Sequence, residues 1–182
     1  QAYGMSKGFQ AHRRARPYNL GTLYWQLNDC WPAVSWSSID YFGNWKALHY
    51  QAKRDFENLL ISNYVKDGVL HSYVVNDDLN DLTSGTEFGS SRAIDVLVRP
   101  KDLKLPKEEL SLKSIKTSGG YQITLKSAVF VKDAFLYSPV KGHFSDNFFD
   151  LEPDVEKTLF FETDSDVAPL FKYKTLNGLM DH

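Results

Sequence analysis

All four tryptophans of this 182-residue chain, Trp25, Trp31, Trp36 and Trp45, fall inside one short stretch near the start. Downstream of Trp45 the aromatic residues are Phe and Tyr only. The chain is therefore built as two different regions, and one architecture has to accommodate both. With 42% hydrophobic and 24% charged residues, it has the composition of a globular protein large enough to bury a core without disulfides. Cys30 is the one cysteine, so an intramolecular disulfide is excluded. A net charge of -2, with no basic stripe, points away from nucleic acid as a partner. No apolar run approaches the ~20 residues of a membrane-spanning helix. The sequence opens at Gln1 in helix-like residues without a leader, which suggests a fragment.

Residues 1–16 read as a helix that stops before Pro17, with Ala2, Tyr3, Phe9, Ala11 and Ala15 as its apolar face. GTLYWQLN, residues 21–28, is a continuous apolar run of strand formers, the pattern of a strand buried on both faces. A loop over 29–43 follows, then a helix over 45–57 with Trp45, Leu48, His49, Ala52 and Phe56 at helical spacing and Asn44 as its N-cap. Helix, strand, long loop, helix is the rhythm of an α/β barrel, in which active sites form after the C-terminal ends of the strands. A lone unit of that kind would expose a strand edge and apolar surface.

From Leu59 the rhythm changes to strands. LLISNYVKDG and VLHSYVVND predict a hairpin turning at Asp67-Gly68. Residues 79–92 are small, polar and Gly/Ser-rich, the composition of a mobile loop or an inserted linker. AIDVLVRP adds a strand, and KDLKLPKEE reads as a linker between domains. Four further strands follow: ELSLKSIKT, GYQITLKSA, VFVKDAFLYS and KTLFFETD. A Gly119-Gly120 turn, and Tyr121, Ile123 and Leu125 alternating with Gln122, Thr124 and Lys126, mark a half-exposed antiparallel sheet.

Residues 21–50 carry Tyr24-Trp25-Gln26-Leu27-Asn28-Asp29, then Trp31, Ser35-Trp36, Gly43 and Trp45-Lys46. This constellation resembles the last strand, loop and helix of the catalytic barrel in β-mannosidases of glycoside hydrolase family 2. FSDNFFDLEPDVEKTLFF, residues 144–161, resembles the closing sandwich of the same enzymes, with Asp154 where their Leu-x-Pro-Gly turn has Gly. The implied fold class is an α+β fragment: the last β/α unit of a TIM barrel (1–57), an incomplete or truncated β-sandwich (58–100) and a mainly-β, Ig-like β-sandwich (101–182). Such enzymes usually carry two sandwiches after the barrel. Only about three strands fit between Leu59 and the linker, so the first sandwich is truncated or residues are missing from the numbering around 79–92.

The resemblance implies retaining hydrolysis of terminal, non-reducing β-D-mannose, which needs two carboxyl groups about 5–5.5 Å apart. In the family both lie on earlier barrel strands, so no catalytic residue is expected in this chain and the isolated chain should be inactive. What it would contribute is Trp25, an indole floor under the apolar face of the sugar ring. Asn28 and Asp29 beside it would bond sugar hydroxyls or fix the loop. Trp31 and Trp36 read as packing anchors, and Trp45 as part of the helix-to-barrel core.

The expected ligands are mannosides or manno-oligosaccharides, with no cofactor, metal, nucleic acid or membrane, and a homodimer as an open option. The resemblance implies a periplasmic or secreted location, with Asp29-Cys30-Trp31-Pro32 suggesting a bacterial source. The competing function is a carbohydrate-binding or structural sandwich module. The histidines, the cysteine and the charge clusters have simpler readings. His12, His49, His71, His143 and His182 lack metal spacing, and Cys30 reads as a small buried hydrophobe. Asp146, Asp150, Glu152, Asp154 and Glu156 read as a solvated face, while Arg13, Arg14 and Arg16 suit a helix C-terminus.

Overall fold

The computed structural model describes residues 1–78, 94, 98 and 102–179. The polar stretch 79–92 and nearly all of AIDVLVRP lie outside the described residues. Two compact units divide the chain, residues 1–100 and 101–182.

In the first unit, α1 runs Ala2–Arg14 and α2 runs Ala47–Asp55. Phe9 (2% exposed), Leu48 and Ala52 form the core between them, with Ala2, Met5 and Tyr24 packed around it. Met5, Phe9 and Arg13 recur every four residues, which puts them on the α1 face that meets α2. The expected face is corrected at three positions: Tyr3, Ala11 and Ala15 are exposed, and Ala11 sits on the far side of the helix. Asn44 is not the N-cap of α2. Its backbone N–H and its side chain both donate to the Asp40 carboxylate at 2.8 Å, closing a tight loop at Gly43 (φ 84°), and Lys46 starts the helix in an extended conformation.

A hairpin follows, β1 (Leu59–Lys66) with β2 (Val69–Asn76), in unbroken antiparallel register. Asp67 and Gly68 both take positive φ, 52° and 77°, as a two-residue turn matched to the strand twist requires. The hairpin shares the helices' unit and is tied to them through α1. Arg13 donates to the carbonyls of Asp55 (2.6 Å), Glu57 (2.7 Å) and Asn58 (3.2 Å), closing the C-terminal end of α2. The same guanidinium pairs with Asp77 at 3.0 Å, just past β2. Arg14 adds a bond to Ser62 and lies over the Tyr64 ring. These arginines therefore do more than complement a helix dipole.

Residues 21–28 do not form a strand. Their only ladder-like contacts among the described residues are to residues 37–39, through an isolated parallel bridge Asn28↔Ile39 and bonds from the Ser38 and Ile39 N–H groups to the Gln26 and Leu27 carbonyls. Burial alternates, with Thr22, Tyr24 and Gln26 half-buried but Leu23 (98%), Trp25 and Leu27 exposed. A strand needs hydrogen-bonding neighbours along its edges, and the described residues offer this run only that short one. The expected double burial is overturned for the same reason.

The second unit is a two-sheet sandwich. One sheet has the order β3 (Leu110–Thr117), β4 (Gly120–Ser127), β8 (Lys157–Glu162), β6 (His143–Phe144), and the other β7 (Phe149–Leu151), β5 (Val131–Tyr137), β9 (Lys172–Lys174). A short helix, α3 (Leu176–Leu179), closes it. Ile123 (0%), Leu125, Leu159 and Phe161 of the first sheet and Val131, Ala134, Leu136 and Leu151 of the second are buried. The alternation expected along β4 is what is seen.

The turn residues are Ser118 and Gly119 (φ 79°), while Gly120 opens β4, where a Cβ would lie 2.0 Å from the Phe161 carbonyl oxygen. Asp154, in the turn where a Gly was expected, takes φ 61°. Where β5 leaves its pairing with β7 after Ala134, the buried Asn147 carboxamide takes over. It accepts from the Leu136 N–H and donates to the Leu136 carbonyl, both at 2.8 Å, and the next residue, Phe148, takes φ 53°.

Candidate functional site

The aromatic loop is organised from Asp29 outward. Its side chain is 4% exposed and pairs with Lys46 Nζ at 2.8 Å. Ser35 Oγ donates to the other carboxylate oxygen, and Lys46 Nζ also reaches Ser37 Oγ at 2.7 Å. Hydrogen bonding from the Lys46 ammonium, then from the Ser35 hydroxyl, holds the Asp29 carboxyl at about 2, well below its ordinary value of 3.8. Asp29 therefore stays ionised and turned inward, fixing the loop. Asn28 is exposed; its Nδ2 donates to the Asp29 carbonyl at 3.3 Å and its own carbonyl accepts from Gln26 Nε2 at 2.7 Å.

Trp25 is 74% exposed. Its neighbours on both sides are anchored. Upstream, the Tyr24 hydroxyl donates to Ser38 Oγ at 3.0 Å, and downstream the Gln26 and Leu27 carbonyls accept from the Ser38 and Ile39 amides. An exposed indole on fixed backbone can offer its π face to an apolar, slightly positive C–H surface.

Trp31 and Trp36 are exposed, so within this chain they are not packing anchors. Trp45 is half-buried, edge-on to Tyr50 at 5.5 Å and tilted against His49 at 4.6 Å. His49 Nδ1 lies 3.1 Å from Ser38 Oγ. Ser38 is fully buried and donates to the Leu27 carbonyl, which makes it a structural hydroxyl and not a nucleophile. Cys30 is exposed, against expectation.

Lys46, Ser35, Ser37 and Ser38 were invisible as a site in the sequence. Lys46 is 17 residues from Asp29, and no local periodicity links the two. A cavity of about 250 Å³ is lined by residues other than these, His12, Arg13, Arg16, Leu20, Thr22, Phe56 and Asp77, and its guanidiniums are engaged by Asp77.

In the sandwich, the acidic residues are partly paired: Asp146 with Lys157 at 2.8 Å and Asp150 with Lys132 at 2.9 Å. Tyr137, Phe135 and Phe148 form a run of near-parallel rings with centroids 5.5 and 4.6 Å apart. Their faces are turned to one another, the reverse of an open stacking platform.

Residues 105–177 match the Ig-fold domain family of mannosidases. The mouse β-mannosidase is 50% identical over 60 residues, covering 33% of this chain and 7% of that enzyme. The goat (Capra hircus) enzyme is 52% identical over 60 residues, with the same shares of 33% and 7%. β-Mannosidase A of Aspergillus clavatus is 48% identical over 61 residues, 32% of this chain and 6% of the enzyme. Over that third of its length the chain is similar to the β-mannosidases of animals and fungi.

Among solved structures, the β-D-mannosidase of Dictyoglomus thermophilum aligns with a TM-score of 0.74 at 21% identity. That alignment covers 97% of this chain and 29% of the Dictyoglomus chain, and it speaks to fold. The chain thus spans less than a third of that β-mannosidase. The relatives it matches are β-mannosidases, and its second unit is an Ig-like sandwich.

Proposed function

We propose that this chain is the C-terminal portion of a retaining exo-β-mannosidase, contributing the last β/α unit of a catalytic barrel and its closing sandwich. The observation that carries the reading is Trp25, a largely exposed indole whose neighbours on both sides are anchored to Ser38 and Ile39. Stacked beneath the terminal mannose, it would leave one ring face of the sugar dry. Asn28, exposed beside it, would contact a sugar hydroxyl, and Asp29 would shape the loop that both depend on. The nucleophile and the acid/base, two carboxyls about 5–5.5 Å apart, belong to earlier barrel strands. The exposed run at 21–28 supports this reading, because neighbouring barrel strands would cover it. A periplasmic or secreted location goes with the same proposal.

The test is release of nitrophenol from an aryl β-mannoside. The longer protein should be active, the 182-residue chain alone should not, and adding the upstream part in trans should restore activity. Hydrolysis by the isolated chain, or activity confined to β-galactosides, would overturn the proposal. Trp25→Ala in the longer protein should lower kcat/KM by about 10–30-fold, the equivalent of ~1.5–2 kcal/mol of lost stacking. The sandwich is read as a structural spacer, since its ring faces are used internally.

A further inference from the structure

The network behind Trp25 has a part that sugar stacking alone does not require. We propose that Lys46, through its ion pair with Asp29, is a positioning residue for Trp25, locking the backbone so that the indole meets its sugar in one orientation. The sugar's identity rests on the β-mannosidase reading, whereas the coupling rests on geometry.

Residues 26–29 and 37–39 run together as a short seam, joined by the Asn28↔Ile39 bridge and by the Asp29 N–H donating to the Ile39 carbonyl at 3.0 Å. The Lys46 ammonium spans that seam, bonding Asp29 on one side (2.8 Å) and Ser37 on the other (2.7 Å). Ser35 holds the remaining oxygen of Asp29 and so draws in the intervening loop. The Lys46 backbone is itself fixed. Its N–H donates to the Ser38 carbonyl at 2.9 Å, and it is the N-cap of α2, whose Leu48 and Ala52 sit in the core. One side chain thereby carries the rigidity of a packed helix to the two carbonyls that follow Trp25. The indole remains 74% exposed and has little packing of its own to orient it. Trp25 would grip the sugar equally before and during reaction, so its misplacement removes binding shared by ground and transition states and the loss falls on KM.

The experiment uses the longer protein with Lys46→Met, Asp29→Asn, the double variant and Lys46→Arg. Four quantities are read: KM and kcat on an aryl β-mannoside, the melting temperature, and the ¹⁹F line of Trp25 in 5-fluorotryptophan-labelled protein, assigned with Trp25→Phe. Each single variant is expected to raise KM by about tenfold with kcat much less affected. The double variant should be no worse than either single, and Lys46→Arg should recover most of the loss. The Trp25 line should shift or broaden in Lys46→Met and return in Lys46→Arg.

An unmoved Trp25 line overturns the coupling, as does a lower melting temperature with kcat reduced at unchanged KM. If the wild type cleaves no β-mannoside, the enzyme reading fails, and the ¹⁹F comparison alone still decides the coupling. Should Lys46→Met unfold, Ser37→Ala removes one arm of the ammonium's contacts and is judged by the same line.

Discussion

The two units of this chain treat their hydrophobic residues in opposite ways. In the sandwich, large apolar side chains from both sheets face one another and are almost wholly buried, Ile123, Leu136 and Phe161 among them. In the first unit the buried apolar residues are fewer, Phe9, Leu48, Tyr50 and Ala52 of the helices with Leu60 and Val75 of the hairpin, while Leu20, Leu23, Leu27, Val34 and Phe42 stand in solvent with three of the four tryptophans. Both units have apolar sequence. What differs is whether the complementary surface lies within the same unit. The sandwich supplies both halves of its own interface, and the first unit supplies only one.

The largest effect should come from separating them. Residues 101–182 expressed alone should melt cooperatively, whereas residues 1–100 alone should bind a hydrophobic dye and self-associate. A cooperative melt of the first unit by itself would break the comparison. Within the sandwich, Ile123→Ala should cost about 2–5 kcal/mol in chemical denaturation, because a fully buried side chain leaves a cavity between two packed sheets. Within the first unit, Arg13→Met should cost about 2–3 kcal/mol. It strips donors from the Asp55, Glu57 and Asn58 carbonyls and takes away one of the two arginines paired with Asp77. That loss would sharpen the contrast, since a polar junction and not a large core holds that unit together.

A smaller effect is set by acid. The Asp29 carboxyl is depressed on folding, so its pairing with Lys46 stabilises fully above the unfolded value near ~3.9 and is lost as pH falls through about 2. Tryptophan emission should therefore hold steady from neutral pH down to about 4 and change between about 4 and 2. Asp29→Asn should remove that transition. Smallest of all, Asp154→Gly should stabilise the sandwich by under about 1 kcal/mol, because φ 61° is unfavourable for any residue with a Cβ.

What could be read from the sequence follows the same division. The Asp67-Gly68 turn and the β4 alternation were legible because each is encoded over a few adjacent residues. The strand expected over 21–28 was not realised, because apolar continuity records what a segment will meet and, among the described residues, only the short run 37–39 lies beside it. Trp25 is a candidate that the sequence offers, and the structure leaves it exposed. Its support was not legible: Lys46 reaches Asp29 across 17 residues, and Arg13 looked like one more charge at a helix end.

The carboxamide of Asn147 stands in for a missing strand, supplying one donor and one acceptor to the Leu136 backbone where β7 no longer reaches. Aspartate would lose the donor, glutamine would overshoot, and an aliphatic residue would strand both peptide groups without water. That position should tolerate almost nothing else, and its intolerance would say nothing about sugar. A mutational scan of this protein would score Asn147 alongside residues that touch ligand, although its job is to finish the hydrogen bonding of a backbone.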